Sequence, residues 1–336
     1  MKSCRTRRLI LLALLLVVSL TGCSPDTPDP VTGTPNVLRI GQIRSNLRPL
    51  LEAAGQIEAL PYAVTWSSFE SGPPAIEAEN AGSVDIAYMA DTPPIFAQAA
   101  GVAVHIVAMT RAPGGARNIS LLVRHQSPVR TVADLRGKRI AIVPGTITQY
   151  LLVEALTDAG LSYDDVHPVS LQAPEAITAL RRGDADAAVL VDPLAATAVA
   201  TGVADILRTG EGLLSGSNVL VAADAALTDP RSADAIGDFL RRTQAAIEWA
   251  ANNETAWAAV YARINKLSPQ VARDTVHRGS THLVPIDAAA IEAQQHQADV
   301  FLRLGLLPEK LDAARQYDDR YNHLLFGDLN HSTPTR

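Results

Sequence analysis

The chain has 336 residues, with 29 Lys and Arg against 35 Asp and Glu, a formal net charge of −6 at pH 7. That balance argues against nucleic acid as a partner, since its recognition needs clustered positive charge. Two cysteines, Cys4 and Cys23, leave no basis for a disulfide framework or a cysteine metal site, so the fold must rest on its core, and the length suits two domains of ordinary size.

Lys2, Arg5, Arg7 and Arg8 precede an apolar run from Leu9 to Leu20. That run is too short to span a bilayer, which needs roughly 20 residues. Residues 1–22 therefore read as a secretory signal. Leu20-Thr21-Gly22-Cys23 resembles the bacterial lipobox, in which the cysteine is acylated and becomes the first mature residue, so Cys23 is the expected lipidation site. Removal of the signal leaves 25 basic against 35 acidic residues. The Pro-, Thr- and Asp-rich stretch that follows Cys23 reads as a flexible tether up to residue 36.

From there strands and helices alternate. Val37–Gly41 reads as a strand, Leu47–Ala54 as a helix and Tyr62–Trp66 as a strand. A helix starts at Pro73, a strand covers Val84–Tyr88, a helix starts at Pro93, and Val102–Met109 is again a strand. The rhythm resumes with strands at Arg139–Val143, Val166–Leu171 and Ala187–Val191, separated by helices Gln149–Ala159 and Pro174–Arg182. Such alternation predicts α/β architecture with parallel pairing. Ile119–Arg124 and Asn218–Ala222 interrupt it and read as crossover strands between two lobes. Four helices follow, over Ala233–Asn252, Thr255–Leu267, Pro269–Gly279 and Ala288–Leu304. The expected division is lobe I at 37–118 with 217–311, lobe II at 119–216, and a tail at 312–336.

Two lobes joined by two crossings predict a ligand cleft between them with hinge closure. In such sheets ligands sit beyond the carboxyl ends of the strands, among helix N-termini. Ser71-Gly72-Pro73-Pro74 and Asp91-Thr92-Pro93-Pro94 repeat one device, a polar pair followed by two prolines. Proline suits the first helical turn, where an N–H has no intrahelical partner. Ser71, Gly72, Asp91 and Thr92 are thus expected at the cleft from lobe I. The turn containing Thr146 and Thr148 would face them from lobe II. Arg44, after the first strand, is a candidate for pairing an anion or is a solvated surface arginine. Asp192, after the strand Ala187–Val191, either contacts a cationic or hydroxyl group of the ligand or caps a helix. Asn218 opens the second crossover. No nucleophile elbow, His-Glu-x-x-His, Walker A or Gly-x-Gly-x-x-Gly pattern is present, and neither catalysis nor a cofactor is expected.

The segments Ser68-Phe69-Glu70-Ser71-Gly72-Pro73-Pro74, Asn80 to Asp85 and Asp91 to Ala99 resemble the aliphatic-sulfonate-binding proteins of ABC importers, within the nitrate, taurine and sulfonate group. So do Asp134-Leu135-Arg136-Gly137-Lys138, Gly183 to Ala187, Asp192-Pro193 and Leu304 to Pro308. The resemblance implies a two-lobed periplasmic binding protein, a Venus flytrap, that delivers a small organic anion to a permease with a cytoplasmic ATPase. It would be a monomer held to the membrane only by lipid. It also brings Gln149, beside Thr148, into the ligand loops. The family's aromatics before and after Asp-Pro are here Val191 and Leu194, so nitrate, taurine or a pyrimidine or aromatic ligand stay open as alternatives, as do a sensing lipoprotein and, behind these, an enzyme on the same scaffold.

Overall fold

A computed structural model describes residues 36–44 and 47–327. The expected signal segment, Cys23, nearly all of the tether and the last nine positions of the tail lie outside the described residues. Eleven strands are described: β1 Val37–Ile43, β2 Ala63–Phe69, β3 Ile86–Ala90, β4 Val104–Arg111, β5 Ala116–Arg124, β6 Arg139–Ile142, β7 His167–Ser170, β8 Ala187–Val191, β9 Ala204–Gly210, β10 Ser217–Ala223 and β11 His282–Val284. The α-helices are α1 Leu47–Ala53, α2 Gly72–Asn80, α3 Thr92–Ala99, α4 Ile147–Asp158, α5 Ala173–Arg182, α6 Leu194–Ala200, α7 Asp224–Thr228, α8 Pro230–Asn252, α9 Glu254–Asn265, α10 Pro269–Arg278, α11 Ala288–Arg303 and α12 Asn322–Phe326.

The strands form two sheets, ordered β11-β4-β10-β3-β1-β2 and β7-β6-β8-β5-β9. Within each, the strands that alternate with helices pair in parallel: β1 with β2 and β3, and β6 with β7 and β8. The two crossover strands enter antiparallel and inside the sheets, each with a neighbour on both sides. β5 lies between β8 and β9, and β10 between β3 and β4. Their side chains are mostly buried (Ser120 to Val123, Val219 to Ala223), as suits strands covered on both faces. Two strands escaped the sequence reading. β9 is an edge strand with Ile206 half in solvent, and β11 is a three-residue pairing onto β4.

One clamp recurs in both halves. Arg39, near the start of β1, grips Asp85 through its backbone N–H and its guanidinium, while also donating to the Gly82 carbonyl. Arg139 opens β6 and does the same with Asp186 and the Gly183 carbonyl. Gly183 ends α5 in the left-handed region at φ 79°, where a glycine carries no steric cost. These are the Gly-x-x-Asp segments that carried part of the resemblance, and their work is to fix strand starts at the sheet edge remote from the cleft.

The C-terminal helices tie the halves together. Phe301 of α11 is fully buried and meets Phe96 of α3 edge-on at 5.0 Å and Tyr150 of α4 at 5.7 Å. Burying a phenylalanine stabilises by roughly 2–3 kcal/mol, and here that gain belongs to the junction of the two halves.

Candidate functional site

The carboxyl ends of β1, β2, β3, β6, β7 and β8 converge on a cavity of about 290 Å³ between the two sheets, the position expected for open α/β sheets. Helices α8, α9 and α10 close one side of it with Ile247, Trp257, Tyr261, Thr275 and Val276.

Of the residues singled out in the sequence, Arg44, Ser71, Gly72, Thr146, Thr148, Asp192 and Asn218 line this cavity. Arg44 has left-handed backbone geometry (φ 55°), uncommon for a residue with a side chain, and its N–H donates to the Phe69 carbonyl at 3.0 Å. Its Nη1 is buried without a hydrogen-bond partner. Burial pushes the Arg44 pKa down, against the nearby charges of Glu70 and Tyr261. What the guanidinium lacks is a hydrogen-bonding partner at Nη1, and an anion in the cavity would supply one.

Ser71 is the N-cap of α2, with extended backbone and no side-chain capping bond, so its hydroxyl is not spent on the helix. A Cβ on Gly72 would fall 2.2 Å from Cγ of Pro93. The two proline caps thus pack against each other, and only the first lines the cavity. Thr92 is fully buried. Asp91 faces a separate opening with Tyr150, Ser215, His296 and Gln297. Its backbone carbonyl accepts from Gln294 and its carboxylate from the Ser215 hydroxyl. Burial pushes the Asp91 pKa up to about 6, against opposing hydrogen bonds from Gln297 and Ser215 and the charge of Arg111.

The facing turn is largely self-satisfied. Thr146 Oγ1 donates to the Val143 carbonyl at 2.7 Å, and Thr148 Oγ1 accepts from the Val143 N–H at 3.0 Å. Gln149 does not line the cavity: its Oε1 accepts from Gly145 N–H at 2.8 Å, and its Nε2 donates to Tyr163 Oη at 2.9 Å. It holds the turn in shape.

Asp192 does two structural jobs. Oδ1 accepts from the Ala196 N–H in the first turn of α6, and Oδ2 accepts from Nη2 and Nε of Arg278 at 2.9 and 3.2 Å. Arg278 ends α10, which packs against α6 and β5 of the other half, so the ion pair crosses between the halves. Burial raises the Asp192 pKa and Arg278 opposes that rise.

Sequence reading missed the wall from α9 and α10. Trp257 and Tyr261 are each 8 % exposed and meet edge-on at 5.7 Å. Burial, with Asp192 close by, pushes the Tyr261 pKa well up, so the phenol stays a donor. Val191 also lines the cavity. Aromatic surface reaches the cavity from Tyr88 of β3 and from Trp257 and Tyr261 of α9, while Leu194 does not line it. The one available signal was the i, i+4 pairing of two large aromatics in an otherwise alanine-rich helix. Among the described residues no group of His, Cys, Asp and Glu is placed to hold a metal ion.

Two α/β lobes around a shared cavity, with strands exchanged between them, define the periplasmic binding protein fold. The sequence profile described as NMT1/THI5 like matches residues 70–256. A relative from Escherichia coli (strain K12), named as an aliphatic sulfonates-binding protein, is 32% identical over 287 residues, covering 83% of this chain and 88% of its own. The solved alkanesulfonate-binding protein SsuA from Xanthomonas axonopodis pv. citri, bound to MOPS, superposes with a TM-score of 0.78 at 31% identity, over 85% of this chain and 99% of that one. The periplasmic aliphatic sulphonate binding protein SsuA from Escherichia coli gives 0.74 at 30% identity, over 85% and 92%. The chain belongs to the NMT1/THI5-like family.

Proposed function

We propose that this protein is the extracytoplasmic solute-binding component of an ABC importer, capturing an aliphatic sulfonate between its lobes and handing it to a permease. The observation that carries this reading is the buried, unpartnered Nη1 of Arg44 against the inter-lobe cavity. A sulfonate offers three acceptor oxygens and one fixed charge. Arg44 would hold the charge, with the Ser71 and Tyr261 hydroxyls and Asn218 completing the headgroup site. The apolar tail would lie along Trp257, Val276 and Ile247. The names of the relatives, and the MOPS found in one of them, support the same ligand chemistry. The ligand leaves unchanged: the buried carboxylate at the cavity, Asp192, is spent on α6 and Arg278 and has no proton-transfer role. Lipidation at Cys23 would hold the protein, as a monomer, to the outer face of the cell membrane.

A thermal-shift panel of alkanesulfonates, nitrate, sulfate and carboxylates of matched chain length tests the reading. A ligand at 100 times its dissociation constant adds about 2.7 kcal/mol of stability. Selective stabilisation by alkanesulfonates is expected. A response to carboxylates or nitrate with none to sulfonates would overturn it.

A further inference from the structure

Sulfonate capture makes no use of the opening beside Asp91. Its volume is about 420 Å³, and it shares no lining residue with the inter-lobe cavity. Helix α11 supplies one wall through Ala289, Glu292, Ala293, His296 and Gln297, spaced i, i+3, i+4, i+7 and i+8 along a single face. Tyr150 of α4 and, from the segment leading into β10, Leu213 and Ser215 complete it.

Exposure is graded across the opening. The α11 residues before Gln297, and Ser215, are exposed, whereas Asp91 and Gln297 are only 6 % and 3 % exposed. The buried pair forms the inner end. Gln297 lies within reach of the Asp91 carboxylate, yet Asp91 Oδ1 and Gln297 Oε1 both lack a hydrogen-bond partner. The Ser215 hydroxyl reaches only the other oxygen, Oδ2, at 3.4 Å. Two buried acceptors with no donor between them are costly to keep.

The charge at the opening has the matching sign. Asp91 and Glu292 are its carboxylates, and His296 stands at the mouth. Arg111 of β4 acts on Asp91 but does not line the opening. The phenols of Tyr150 and Tyr317 also feel Asp91, and burial keeps both protonated. With His296 neutral, two carboxylates against one guanidinium leave one negative charge. A primary ammonium brings one positive charge and three N–H donors. We propose that this opening is a second ligand site, which takes a small primary amine in its ammonium form, with N–H groups donating to Asp91 Oδ1 and Gln297 Oε1 and the alkyl chain along Leu213, Ala289 and Ala293. It does not depend on the sulfonate reading.

A proton on Asp91 would satisfy the same two oxygens, so proton and ammonium compete. Burial holds the Asp91 pKa up at about 6, and amine binding is therefore expected to be about tenfold weaker at pH 5 than at pH 8. Calorimetric titration of the full chain with propylammonium and tetramethylammonium chloride, at one ionic strength and pH 8, tests the site. Both ions carry one charge, but only the first has N–H donors. Propylammonium is expected to bind at least about tenfold tighter, and an excess of butane-1-sulfonate to leave it in place. Asp91→Asn and Gln297→Met are each expected to weaken it by about tenfold or more. Gln297→Met keeps the carboxylate, so it reads the amide apart from any effect of Asp91 on folding. Equal binding of the two ions, displacement by the sulfonate, or binding that survives both substitutions overturns the site. So does an affinity that holds from pH 8 down to pH 5.

Discussion

Replacing Arg278 by Met keeps the apolar stem and deletes the guanidinium that spans the two halves of the molecule. Asp192, whose side chain is 6 % exposed, would then keep only the Ala196 N–H as donor. A hydrogen bond to a charged group contributes about 1.5–3 kcal/mol, and breaking a buried pair costs about 3–5 kcal/mol. Arg278 is itself 34 % exposed, and water can replace part of what is lost, so about 2–3 kcal/mol is the reasonable magnitude. The loss falls on the contact between lobes and not on either core, because the remaining bonds of Asp192 lie within its own lobe. Closure should weaken by roughly 30- to 150-fold. Small-angle scattering of the ligand-free variant should show a larger radius of gyration than wild type, with a weaker ligand affinity, since the ligand must now supply the closing energy. Arg278→Lys should recover part of both. Identical scattering and identical affinity in Arg278→Met would refute the view that this pair holds the lobes together.

Three further outcomes follow from the site. Arg44→Met should lower sulfonate affinity by about 10- to 100-fold, from the loss of charge-assisted bonds, while the melting temperature of the free protein holds or rises because an unpaired buried guanidinium has gone; a fall in stability with unchanged affinity would contradict its role. Asp91 keeps its proton to about pH 6 because of burial, against an unfolded value near 3.9. The folded form therefore binds the extra proton, and stability is lost as pH rises from about 4 to 6, by up to about 3 kcal/mol. Asp91→Asn removes that loss, so its melting temperature relative to wild type should climb across this window and level off above pH 7; a difference independent of pH would show that Asp91 does not titrate there. Gly72→Ala drives a methyl group into Pro93, a backbone-anchored ring that cannot step aside, and should cost about 1–3 kcal/mol in chemical denaturation together with weaker ligand binding.

The proline caps show what the sequence could and could not reveal. A polar residue before two prolines marks where a helix begins, and both α2 and α3 begin at or within a residue of the expected place. The same motif carries no information about which way the cap faces. That is decided by Gly72 packing on Pro93, which turns Asp91 toward Ser215 and Gln297 and leaves Ser71 at the cavity. Thr146 and Thr148 line the cavity, yet their hydroxyls are engaged by Val143, a local competition that short polar side chains often win. The α/β rhythm was legible because its apolar runs are bounded by glycine and proline. Strand β9 was not, since an edge strand that is only half-buried along most of its length carries no clear alternation. The wall formed by α9 escaped for a different reason: helical periodicity identifies an apolar face, but not whether that face meets a core or a ligand.

The account turns on Arg44 as the counter-charge of a bound sulfonate, and a crystal structure of the protein with butane-1-sulfonate tests this most directly. A sulfonate oxygen within about 3.2 Å of Arg44 Nη1, with the carbon chain running toward Trp257, is the predicted result. Ligand density outside the inter-lobe cavity, or a headgroup there that leaves Arg44 Nη1 without a partner, would contradict it.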